Sequence, residues 1–215
     1  MELIQQIQEN AIVAVIRGAK PSDMLKIATA LREGGVKTLE ITVDTPKVMT
    51  LIEEVSTELD QEVIVGAGTV LDAETARMAI LSGAKFIFSP TVNVDLIKLT
   101  KRYGAVSIPG ALTPTEILKG YENGGDIIKV FPANAFGPAY IKDIKAPLPQ
   151  IPLMPTGGVN LENIGEYMKH GAVAAGVGST LVNTRGDLTK ERLREITETA
   201  RQMLARVKQA RSSLN

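Results

Sequence analysis

The chain contains no cysteine and only one histidine, His170, in 215 residues. Without thiols it can form no disulfide and no thiolate nucleophile, and a lone histidine excludes His-rich metal sites. Long hydrophobic runs are missing too: none approaches the ~20 apolar residues that span a bilayer. The first ten residues, MELIQQIQEN, are polar and amphipathic, unlike a secretory signal. An excess of charge of either sign is also absent, with 24 Lys+Arg against 24 Asp+Glu. Such a balance gives no electrostatic footprint for nucleic acid or an anionic membrane. These absences imply a cytoplasmic protein with no nucleic-acid or membrane partner.

What is present fits a folded enzyme-sized domain. Hydrophobic residues make up 44% and charged residues 22%, a globular composition, and the length supports one domain over 1–215 with a full core. Eight short β-rich runs recur at 12–17, 38–43, 63–69, 86–90, 105–109, 126–132, 153–157 and 174–179. They are near-continuously apolar, as parallel strands covered on both faces should be. Amphipathic segments lie between them. Pro21-Ser22-Asp23 opens a helix over 22–33 that stops at Gly34-Gly35. Helices are also predicted over 72–81, 113–121 and 160–169, with a long charged one over 189–210 whose end should fray. This alternation predicts an α/β fold, a (β/α)8 TIM barrel with a short N-terminal helix. A doubly wound open sheet, the alternative, would show fewer or less evenly spaced units.

In such a barrel, catalytic groups come from the C-terminal ends of the strands. Most charges sit on the helices as solvated faces. Lys37 and Lys85 precede strands and so belong to the opposite, stability end. Arg17, Glu40, Asp44 and Lys129 are left, within strands or at their C-terminal ends. Lys129 interrupts the apolar stretch GGDIIKVFPA, where an ammonium would lose its hydration. Strand side chains alternate, so Glu40, Thr42 and Asp44 share one face, as do Ile127, Lys129 and Phe131. If both faces point inward, a carboxylate and an amine meet near the mouth. One reading is a structural ion pair, although buried pairs contribute little net stability. The other is chemistry. Burial lowers a lysine's pKa, and the neutral amine can attack a carbonyl to form a Schiff base, an electron sink. The proton shuttle then has to be a carboxylate, and Glu40 is the glutamate within a strand.

Two glycine-bearing loops fall where barrels often bind phosphate, after strands seven and eight. MPTGGVN offers Gly157 and Gly158, and GVGSTL offers Gly178 and Ser179. Glycine lets the backbone approach an anion, and N–H groups at a helix start supply donors. A third loop, GAGTV at 66–70, could hold a small carboxylate through its amides and the Thr69 hydroxyl, or be a plain strand-to-helix turn.

The segments GGVKTLEIT, VGAGTVLD, FSP, IPGALTPTE, IKVFPA, PTGGV and GVGS occur in the order and spacing of the 2-keto-3-deoxy-6-phosphogluconate (KDPG) aldolases. That family also includes 4-hydroxy-2-oxoglutarate aldolases, and the resemblance covers about residues 10–183. It implies a metal-free, cofactor-independent class I aldolase, a homotrimer, that cleaves KDPG reversibly to pyruvate and glyceraldehyde 3-phosphate. It also implies site roles. Lys129 matches the Schiff-base lysine and Glu40 the proton-transfer glutamate, acting through water. Thr69 matches the threonine that contacts the pyruvate part. Thr156 matches the threonine of PTGG, and Gly157, Gly158, Gly178 and Ser179 match the phosphate loops. Pro90 and Phe131 match pocket-lining residues. One position departs: some members carry a substrate-binding arginine four residues after the glutamate, where this chain has Asp44. Other members use an arginine at the position of Arg17, which is therefore expected to bind the substrate carboxylate. Asp44 would then be left for substrate hydroxyls, and the preferred sugar acid stays open. A phosphate-binding barrel isomerase or epimerase, and a non-catalytic sugar-phosphate sensor, are the rival readings.

Overall fold

Parallel pairing dominates the computed structural model, which describes residues 3–60 and 62–213. The strands are β1 (Ile12–Ile16), β2 (Thr38–Thr42), β3 (Ile64–Gly68), β4 (Phe86–Phe88), β5 (Val106–Ile108), β6 (Gly110–Ala111), β7 (Ile128–Val130), β8 (Leu153–Pro155) and β9 (Ala175–Val177). Every run read as a strand in the sequence carries one. The helices are α1 (Leu3–Asn10), α2 (Pro21–Glu33), α3 (Val48–Glu58), α4 (Ala73–Leu81), α5 (Val94–Arg102), α6 (Pro114–Glu122), α7 (Ala139–Lys145), α8 (Ile164–Lys169) and α9 (Lys190–Ser212). No helix among the described residues is long and apolar enough to cross a membrane.

The strands form a six-stranded sheet, β5-β4-β3-β2-β1-β9, and a three-stranded sheet, β6-β7-β8. Pro109 separates β5 from β6. It has no N–H to give a ladder, but its carbonyl accepts from Lys129 N at 2.9 Å. At the other side, Thr156 bridges to Gly176 of β9. The fifth sequence run thus contributes β5 alone, and the short β6, just past its end, is a strand the sequence reading did not include.

One face of the strands holds Val13, Phe86, Phe88, Val106, Ile108, Ile127, Met154 and Ala174, packed together with Ile7 of α1. The other face packs against the helices in a larger apolar cluster. Local sequence explains the helix starts. Asp72 caps α4 by accepting from Thr75 N, and Thr113 with Glu116 forms a reciprocal capping box on α6. Two helical expectations change. The long helix runs on to Ser212 rather than fraying at 210. The helix expected over 160–169 begins at Ile164, because the Asn160 side chain accepts from Glu162 N and Asn163 N in a turn of its own.

Candidate active site

Lys129 lies at the middle of β7, level with Gly110 of β6 and Met154 of β8. It is 5% exposed. Its Nζ stands 4.2 Å from the Phe88 ring centre and 4.6 Å from that of Phe131. Aromatic faces attract the ammonium form but restore little of its lost hydration. Burial accordingly pulls the lysine pKa below its ordinary value, and the Arg17 cation adds to this while Glu40 opposes it. Phe88 escaped the sequence reading, although alternation over Phe86, Phe88 and Pro90 carries the signal.

Glu40 sits in β2 between Val15 of β1 and Gly66 of β3, and is 1% exposed. Burial raises its pKa to about 7, against the pull of Lys129 and Arg17 and with a smaller push from Asp44. Lys129 and Glu40 feel each other's charge, yet no direct ion pair joins them among the described residues. The purely structural pair considered from sequence is therefore not what the fold builds. Glu40 Oε2 is buried without a hydrogen-bond partner, and so is Thr156 Oγ1. Left unpaired, such an atom costs about 1–3 kcal/mol, a cost that a water or a substrate group within bonding reach removes.

The glycines of GAGTV make room for this arrangement. A Cβ on Gly68 would collide with Glu40 Oε1, and one on Gly66 with the Phe86 ring. Their role is space for the carboxylate and the ring, which the anion-loop and plain-turn readings both missed. Thr69 follows with φ of 59°, an uncommon conformation for a β-branched residue. Its hydroxyl accepts from Arg17 Nη2 at 2.7 Å, and Arg17 Nη1 donates to Asp44 Oδ2 at 2.6 Å. The ends of β1, β2 and β3 are thus tied together at the mouth.

Phe131 and Pro90 border the same space, Phe131 partly exposed and Pro90 half-buried. Gly110 has to be glycine, since a Cβ there would stand 2.5 Å from the Pro90 backbone. The two glycine loops also meet: Thr180 Oγ1 of the loop after β9 donates to Val159 O of the loop after β8 at 2.7 Å. Gly157 and Gly158 both have positive φ, 94° and 73°. Gly178 O accepts from Leu181 N and Val182 N in a tight turn, and Ser179 is exposed. Donors at the expected helix start are spent, however, on the Asn160 and Asn163 side chains.

A buried amine beside a carboxyl that titrates near neutrality suits carbonyl chemistry. A family model described as KDPG and KHG aldolase matches residues 3–199. The chain belongs to the KDPG and KHG aldolase family. It is therefore an aldolase, a lyase. Among relatives, the chain is 33% identical over 171 residues to the 2-dehydro-3-deoxy-6-phosphogalactonate aldolase of Escherichia coli, covering 79% of this chain and 83% of that one. It is 36% identical over 162 residues to the 2-dehydro-3-deoxy-phosphogluconate aldolase of Pseudomonas aeruginosa, covering 75% and 73%. A solved KDPG aldolase from Legionella pneumophila, with pyruvate captured as a covalent carbinolamine, superposes with a TM-score of 0.82 at 29% identity, covering 90% of this chain and 93% of that one.

Proposed function

We propose that this aldolase works through a Schiff base on Lys129 and cleaves a 2-keto-3-deoxy-6-phospho sugar acid, KDPG foremost, reversibly to pyruvate and glyceraldehyde 3-phosphate. The observation that carries the reading is the Lys129 amine, buried between Phe88 and Phe131 with its pKa depressed. A relative's covalent pyruvate adduct supports it. The neutral amine attacks the C2 ketone. Glu40 gives a proton to the departing hydroxyl as the carbinolamine loses water, and an iminium forms. A carboxyl that titrates near 7 can both give and take protons at neutral pH. Glu40 then takes the C4 hydroxyl proton. The C3–C4 bond breaks, its electron pair moves into the iminium as an enamine, and the aldehyde leaves. Protonation at C3 and hydrolysis release pyruvate and the free amine.

The other residues bind and orient. Arg17 and Thr69 take the substrate carboxylate. Pro90, Phe131 and Thr156 line the carbon chain. Gly157, Gly158, Gly178 and Ser179 hold the phosphate, whose binding energy acts away from the breaking bond. The reading includes one domain, closure of the two sheets into a (β/α)8 barrel through Pro109 and the Thr156–Gly176 bridge, a homotrimer, a cytoplasmic location, and no metal or cofactor. The galactonate epimer and 4-hydroxy-2-oxoglutarate are the alternative substrates, and the Escherichia coli relative's name gives weight to the first.

Borohydride reduction in the presence of pyruvate tests the chemistry. A pyruvyl mass should appear on the Lys129 peptide; active enzyme with that peptide unmodified would refute the assignment. Comparing kcat/KM across the two epimers and 4-hydroxy-2-oxoglutarate then ranks the substrates.

A further inference from the structure

Asp44 stands where some members of the family carry a substrate-binding arginine, so its charge is opposite to theirs. It closes an exposed ion pair with Arg17, both side chains being about half exposed. Exposed pairs usually contribute little to stability, so its place at the mouth asks for another reason. The pair is built rather than incidental. The Arg17 carbonyl accepts from Thr184 Oγ1 at 2.6 Å, and Gly18 N donates to Thr45 Oγ1 at 3.1 Å. Thr45 in turn contacts the Thr42 hydroxyl, fully buried one step below Asp44. The guanidinium is held on two sides, by Asp44 at 2.6 Å and Thr69 at 2.7 Å. An arginine has five N–H donors, so others remain for an incoming anion. That anion meets a cation already neutralised by its neighbour.

We propose that Asp44 is a specificity-determining residue of this aldolase: it positions Arg17 against Thr69 and, by its charge, keeps affinity for small anionic 2-oxo acids such as pyruvate low. The inference rests on the Lys129 reading above. Its consequence is directional. In cleavage, pyruvate is the product, and a mouth with no net charge releases it readily. The longer substrate keeps its hold through its phosphate and hydroxyls, for which an Asp44 carboxylate oxygen is an acceptor. The same charge acts on Glu40, which faces Lys129, Arg17 and Asp44. Asp44 favours the protonated carboxyl, while the two cations favour the ionised one.

Kinetics of Asp44→Asn test this. The amide oxygen can still accept from Arg17, so the arm stays in place while the charge goes. The KM for pyruvate in the condensation direction should fall roughly three- to tenfold, about the scale of one partly screened charge. Pyruvate should inhibit cleavage correspondingly more strongly. The limb of the pH profile set by Glu40 should move to lower pH, because a negative neighbour has been removed. Asp44→Glu, which restores the charge, should return the wild-type KM within about twofold on the same scale. Loss of a merely structural contact would raise KM and leave the limb in place, and that result would overturn the proposal, as would no change in KM. Borohydride trapping separates the two levels. Trapping on Lys129 with an unchanged Asp44→Asn KM sinks this inference alone. No trapping on Lys129 in the wild type sinks it together with the proposed function.

Discussion

The strand face that carries Lys129 is built by opposite rules at its two ends. Toward the strand N-termini, Ile7, Val13, Phe86, Val106, Ile127 and Ala174 form an apolar plug that includes a residue of α1. Midway and toward the C-termini, the same face holds Glu40, Thr42, Lys129 and Thr156, all buried. One end returns free energy through area removed from water. The other spends part of it on two ionisable groups and two unpartnered oxygens. The difference teaches where to look for function: at the end where the fold tolerates what a core normally excludes.

The largest effect should come from Lys129→Met. Without a nucleophile, kcat should fall by more than about 10⁴-fold, on the scale seen when a covalent nucleophile is removed. Stability should respond with a pH-dependent sign. Glu40 has its folded pKa raised from 4.5 to about 7, so the folded state keeps a proton that the unfolded chain releases in that window. Its contribution to stability therefore falls as pH rises from 4.5 through 7. Lys129 partly offsets this by favouring the carboxylate. At pH 5, where Glu40 is protonated, Lys129→Met should match or exceed the wild-type Tm. At pH 8, Glu40 has lost its compensating charge, and the variant should fall below the wild type. Lys129→Met combined with Glu40→Gln should lose that pH dependence. Thermal melts at the two pH values decide it, and a Lys129→Met deficit equal at both would mean that burial does not couple the two groups.

The apolar end should answer in the opposite way. Ile127→Ala, two residues before Lys129 and fully buried, should cost about 2–5 kcal/mol in denaturant unfolding. Below the transition, kcat per folded molecule should stay within about twofold, since the removed atoms are apolar and face the plug. A large loss of kcat without a loss of stability would break the division between the two ends.

Much of this contrast was legible in the sequence. Period-two alternation put Glu40 and Lys129 on strand faces that are buried, and the eight apolar runs located every strand except the two-residue β6, because burial on both faces leaves a strong pattern. What escaped had longer-range causes. Gly66 and Gly68 lack side chains because Phe86 and Glu40, from the two flanking strands, occupy the space. No local rule reports that. Past Pro109, where the fifth run ends, β6 opens the second sheet, which shows only once pairing partners are known. Asn160 and Asn163 carry helix-start chemistry, yet their side chains close a turn that delays α8. The Arg17–Asp44–Thr69 link joins three strand ends 27 and 52 residues apart in sequence, and Thr69 reaches it through a left-handed backbone that its residue type disfavours.

The smallest predicted effect isolates the contrast at a single atom. Thr156 Oγ1 is buried with no protein partner, and it stands so close to Gly176 that a Cβ there would collide with it. Thr156→Val keeps the shape and replaces the hydroxyl by a methyl. A buried hydroxyl without a hydrogen bond is worth about 1 kcal/mol or more to remove. The variant should therefore gain about 2–4 °C in Tm, the shift expected for a chain of this size. If the hydroxyl serves the substrate, kcat/KM for the phospho sugar acid should fall about tenfold while borohydride trapping of pyruvate on Lys129 persists. A stabilised variant with undiminished kcat/KM would make Thr156 part of the packed wall, and the polar end of the face would shrink to Glu40, Thr42 and Lys129.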